Sequence, residues 1–140
     1  MFYPIYTNKT FTLSGRIFQI YSLDGFNFKE SISVPSEKGL YCFSNKMHIE
    51  LLNNPNRFQN VHQLLYLGKA DGRDGLVGRL TSNHEKFTSL QNIATYIGIY
   101  KCSNNENAKD IESQILSNYN FLLNEQENSF DFGASTVKED

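Results

Sequence analysis

Apolar and polar positions alternate or recur along the chain in a way that predicts short strands first and helices later. Residues 16–21 (RIFQIY) are aromatic and β-branched; Asp24-Gly25 then offers a turn, and Phe26, Phe28, Ile32 and Val34 alternate with polar positions. That pattern predicts a β-hairpin turning near Asp24-Gly25, closed by Pro35. A strand is expected over 39–44 (GLYCFS), a short helix over 47–52, and a break at Asn53-Asn54-Pro55-Asn56. Residues 63–68 (QLLYLG) read as a second strand. Helical spacing follows over 75–87, where Leu76, Leu80 and Phe87 fall near one face and Arg79, Asn83 and Lys86 on another. Residues 93–100 (IATYIGIY) read as a third strand. The clearest helix covers 107–118, with Ala108, Ile111, Ile115 and Leu116 in an apolar stripe and Glu112 set among them.

Between the second strand and the helix that follows, four glycines fall within eleven residues: Gly68, Gly72, Gly75 and Gly78. A strand that breaks into a glycine-rich turn and then a helix can bring backbone close to a phosphate. Neither a Walker-type Gly-Lys-Ser/Thr nor a G-x-G-x-x-G is present, so the turn alone does not specify nucleotide binding.

Composition narrows the class. The chain has 140 residues, enough for one domain with a real core, and 39% hydrophobic residues including eleven Phe and eight Tyr. That composition fits a globular α/β or α+β protein. Nothing approaches the roughly 18 apolar residues of a membrane span. The start, MFYPIYTNKTF, is polar and interrupted by Pro4, unlike an export signal. Cys42 and Cys102 each lie in an apolar run, which suggests reduced thiols in a cytoplasmic protein. The net charge of −2 is unevenly spread. Residues 125–140 hold five acids and one base, whereas 1–124 hold twelve Lys/Arg against ten Asp/Glu. A mildly basic body permits nucleic-acid binding without requiring it. Residues 126–140 read as an acidic, disordered tail.

Four polar groups fall at distinctive points: Tyr41 on one strand, Tyr66 on the next, Arg79 on the helix after the glycine turn, and Glu112 in the last apolar stripe. With them the sequence resembles the GIY-YIG endonucleases over 39–124. Gly39-Leu40-Tyr41 and Tyr66-Leu67-Gly68 match the two motif words, with Leu replacing Ile in both. Arg79 and the trailing His84 match the arginine helix, Ala108 and Glu112 the glutamate helix, and Asn124 the closing asparagine. The string Tyr96-Ile97-Gly98-Ile99-Tyr100 contains both words literally, but no glycine turn or arginine helix follows it.

The resemblance implies an α+β fold, with a small three-stranded, mainly antiparallel sheet flanked by helices. An N-terminal β-hairpin extension (1–38) would precede a nuclease domain (39–125). It implies hydrolysis of DNA phosphodiester bonds, with Tyr41 as general base, Tyr66 orienting water or phosphate, and His84 relaying a proton. Glu112 would hold one Mg²⁺ or Mn²⁺, while Lys69, Arg73, Arg79 and Asn124 would bind the substrate. Double-stranded DNA is the implied partner, possession of a membrane anchor is not implied, and a homodimer would cut both strands. Asp71 and Asp74 read as solvated turn carboxylates, and His48 and His62 carry no partner pattern. The other reading is an inactive module of the same fold that binds nucleic acid or protein.

Overall fold

The computed structural model describes residues 5–23, 37–51, 54–80, 90, 93–124 and 134–140. Its centre is one antiparallel sheet of six strands: β1 (Ile5–Leu13), β2 (Arg16–Ser22), β3 (Gly39–Leu51), β4 (Asn54–Ala70), β5 (Tyr96–Lys101) and β6 (Thr136–Lys138). Their spatial order is β1-β2-β5-β3-β4-β6. The sheet curls until its ends meet: the Asp140 N–H donates to the Thr10 carbonyl at 2.7 Å, and the Thr12 hydroxyl donates to the Asp140 carboxylate at 3.1 Å. Two helices lie wholly within the described residues, α1 (Gly75–Leu80) and α2 (Ala108–Asn118).

This overturns the expected fold class, a three-stranded sheet flanked by helices: the protein is a mostly-sheet half-barrel. The additional strands come from segments whose polar composition hides them. In β1, Phe11 and Leu13 are buried while the preceding residues are Asn, Lys and Thr. β1 pairs with β2 through a turn at Ser14 and Gly15, both at positive φ (48° and 77°), as a tight two-residue hairpin requires. The expected turn at Asp24-Gly25 lies outside the described residues. β2 in turn pairs with β5, from Gln19 opposite Ile99 to Ser22 opposite Tyr96, so the hairpin is built into the main sheet.

The helix expected over 47–52 is also overturned. β3 runs to Leu51, with Met47 opposite Val61 and Ile49 opposite Gln59 on β4. Pairing with a neighbouring strand decides the backbone here, against weak local propensity. Likewise residues 134–140, expected as part of a disordered tail, are in place, and β6 pairs with Val61, His62 and Gln63 of β4.

Alternation along the strands divides the core into two layers. On the concave side Phe11, Phe18, Ile20, Leu40, Cys42, Leu64 and Leu67 pack with Ile111, Ile115, Leu116 and Phe121. The α2 stripe is buried there as its spacing predicts. Its N-terminus is fixed by Asn107, whose side-chain oxygen accepts from the Lys109 and Asp110 N–H groups. On the other side Tyr41, Phe43, Leu65, Ile97 and Ile99 pack with Leu76 and Leu80 of α1.

Candidate functional site

A single irregularity in β4 sets up the site. Phe43 pairs with Tyr66, but the next residue, Ser44, pairs with Leu64, leaving Leu65 as the extra residue of a β-bulge. The bulge puts Leu64 in the concave core and Leu65 in the other layer. Tyr66 consequently stays on the side of Tyr41 and Phe43, with the Tyr41 and Tyr66 ring centroids 6.3 Å apart. Tyr41 lies opposite Gly68. A Cβ at Gly68 would come within 2.3 Å of the Tyr41 ring carbon Cζ, so only glycine lets the phenol lie across β4.

The chain then turns through the exposed residues 71–74 into α1, entering at Gly75 with φ of 58°, a left-handed conformation suited to glycine. The Leu76 N–H donates to the Glu37 carbonyl and anchors the helix start beside β3. One turn on, Arg79 points back across the glycine turn, and its Nε donates to the Tyr41 hydroxyl at 3.3 Å.

These elements enclose a cavity of about 730 Å³ lined by Tyr41, Tyr66, Lys69, Asp71, Arg73, Asp74, Arg79, Glu112 and Asn124, with the glycines between them. Tyr41, Tyr66, Arg79 and Glu112, far apart in sequence, thus line one concavity, as do the expected substrate-binding residues Lys69, Arg73 and Asn124. His84 lies outside the described residues. Lys69 pairs with Asp71 at 3.5 Å at the rim.

Burial raises the Tyr41 phenol to about 12, although the Arg79 hydrogen bond and charge pull it down; Tyr66 and Glu112 add to the rise. Tyr66 is raised for the same first reason, burial, with Arg79 opposing and Glu112 adding. For Arg79, burial works against the charge, but the Tyr41 hydrogen bond and the fields of Tyr41, Tyr66 and Asp71 outweigh it, and its ionisation is raised. A cationic guanidinium and an acidic side chain therefore act on the same two phenols.

Asn124 has an architectural task that its motif position does not reveal. Its side-chain oxygen accepts from the Leu67 N–H at 2.9 Å, and its amide donates to the Leu67 carbonyl at 2.9 Å. Together with the Leu123 N–H, which donates to the Leu65 carbonyl at 2.8 Å, it continues the sheet edge where β6 leaves off. Gly68 was legible as a motif glycine but not as a seat for Tyr41, because the opposing register depends on a hairpin longer than the sequence shows. Asp71 and Asp74, expected to be solvated, are exposed and also line the cavity.

No protein-family model, no curated protein and no solved structure matches the chain. No helix of the described residues is long and apolar enough to cross a membrane.

Proposed function

We propose that the protein is a metal-dependent DNA endonuclease that hydrolyses phosphodiester bonds in the cavity between β4, α1 and α2. The observation that carries this reading is the meeting of Tyr41, Tyr66, Arg79 and Glu112 around one concavity. Two further cations, Lys69 and Arg73, line the same opening and suit an approaching phosphate.

Among the described residues no group of three or more His, Cys, Asp or Glu side chains could cage a metal ion. In this reading Glu112 is the one carboxylate assigned to a hard divalent cation, whose remaining positions would be taken by substrate phosphate and water. When bound, Mg²⁺ or Mn²⁺ would neutralise phosphate charge, assist departure of the 3′ oxygen and lower the Tyr41 phenol. The chain's own groups do the rest. Arg79 presents a guanidinium to the phosphate, an interaction that strengthens as charge builds in the transition state. Tyr41, as phenolate, takes the proton of the attacking water, and Arg79 Nε holds its oxygen in place. Tyr66 orients that water or the phosphate.

Supercoiled plasmid incubated with Mg²⁺ or Mn²⁺ tests the reading: wild type nicks it and Glu112→Ala does not. Intact plasmid with wild type under both metals rejects it. One site of this kind cuts one strand, so cleavage of both strands of a duplex calls for two copies of the chain. The free Cys42 and Cys102 suit a cytoplasmic setting.

A second reading, an inactive nucleic-acid-binding module, is favoured by one observation: Tyr41 is fully buried, which raises its phenol and leaves almost no phenolate to act as base at neutral pH. Salt-dependent DNA binding without nicking would select that reading.

A further inference from the structure

Within the layer that packs with α2, away from the cavity, lies a chain of polar groups that the proposed chemistry does not use. Ser44 on β3 and His62 on β4 are both fully buried. Ser44 Oγ lies 2.9 Å from His62 Nδ1, and His62 Nε2 lies 2.7 Å from Glu139 Oε2. Lys46 Nζ of β3 reaches the same Glu139 oxygen at 3.2 Å. The His62 ring is otherwise boxed by aromatic groups, Phe11 of β1 at 5.4 Å and Tyr96 of β5 at 5.4 Å between centroids. Lys46 also sits over the Tyr96 ring at 5.7 Å.

The neutral ring satisfies these contacts without burying a further charge. With a proton on Nε2 alone, His62 donates to Glu139 and its Nδ1 accepts from the Ser44 hydroxyl. A second proton, on Nδ1, would reverse the Ser44 contact, with the hydroxyl oxygen then accepting. It would also place a new positive charge on a ring without solvent contact, beside the Lys46 ammonium.

Glu139 belongs to the segment that closes the sheet. The Glu139 N–H donates to the Asn60 carbonyl, the Asp140 N–H to the Thr10 carbonyl, and the Leu64 N–H to the Ser135 carbonyl. We propose that residues 134–140 form an acid-sensitive strap, which holds β4 against β1 while His62 is neutral and loosens when the ring takes a second proton. This inference stands independently of the nuclease reading.

Burial lowers the His62 ionisation below its ordinary value; the Glu139 hydrogen bond and charge oppose that, and Lys46 adds to it. The stabilisation from neutral His62 is therefore complete above the ordinary histidine value of about 6.5 and is lost as pH falls through the lower folded value. For Glu139, burial favours the neutral acid, but the hydrogen bonds of His62 and Lys46 outweigh it and lower its ionisation. Glu139 therefore remains charged across that window, and its own contribution is lost at lower pH still.

The test is amide hydrogen exchange of the full chain, corrected for intrinsic rates, at pH about 7.5 and about 5.5, on either side of the ordinary histidine value. The amides of Leu64, Glu139 and Asp140 should lose protection several-fold at the lower pH, whereas the Cys102 amide, bonded to the Lys38 carbonyl, should not. In His62→Gln the pH response of those three amides should vanish. Should that variant fail to fold, Glu139→Gln serves instead, with the strap amides poorly protected at both pH values. Equal protection of the wild-type strap at the two pH values, or an equal loss at Cys102, overturns the proposal.

Discussion

Gly68 and Tyr41 illustrate how much one position can carry. The glycine leaves room for a phenol that would otherwise meet a Cβ at 2.3 Å. Gly68→Ala should therefore displace Tyr41, costing about 1–3 kcal/mol as overpacking does and separating the hydroxyl from Arg79. A lowered urea midpoint with reduced cleavage is the expected outcome. Arg79→Ala removes a half-buried cation and one hydrogen bond, so a stability change of roughly 1 kcal/mol is expected. The loss of turnover should be far larger, on the order of a hundredfold or more, read in the same preparation by denaturation and by cleavage rate. The strand and helix positions of Tyr41, Tyr66, Arg79 and Glu112 were legible in the sequence because the local apolar pattern matches the element at each. Ser44, His62 and Glu139 were not: His62 and Glu139 are 77 residues apart, and no local pattern joins them.

At the scale of elements, legibility followed periodicity. The α2 stripe is strong and local, and the helix lies where the spacing puts it, starting at the Asn107 cap. Asn107→Ala should lower stability by about 1 kcal/mol and, since α2 carries Glu112, lower cleavage at temperatures near the shifted Tm. β4 shows the opposite case. Its first half, NPNRFQNVHQ, is polar, and its strand character comes from pairing with β3, so sequence alone showed only the apolar end at 63–68. The bulge at Leu65 was equally invisible, although it keeps Tyr66 on the face of Tyr41. Asn124 belongs at this scale, because it ties the 121–124 segment to β4 through both polar atoms of its amide. Asn124→Ala should destabilise the fold by about 1–3 kcal/mol, the range for a lost buried hydrogen-bond partner. Differential scanning calorimetry would register that as a lower Tm.

For the whole molecule, the sheet's closure was the feature least available from sequence. It joins β1, whose middle is polar, to β6, which has a single apolar residue. A small three-stranded core was expected because the strong strand signals lie in the middle of the chain; the curled six-stranded sheet arises from long-range pairing that local pattern does not encode. Under the nuclease proposal, Tyr41 also sets how cleavage depends on pH. With the Tyr41 phenol raised to about 12 in the free protein, the fraction in the phenolate form grows with pH throughout the neutral and alkaline range. The cleavage rate should rise by about tenfold per pH unit below the phenol's value in the metal-bound complex. Tyr41→Phe should be inactive at every pH, measured under single-turnover conditions.

The most direct test of hydrolysis at this cavity is cleavage of DNA with Mg²⁺ in water enriched in heavy oxygen, followed by mass analysis of the new ends. Wild type should leave one heavy oxygen in each new 5′-phosphate, and Glu112→Gln should give no new ends. Intact DNA with wild type, or cleavage undiminished in Glu112→Gln, would contradict hydrolysis at this cavity.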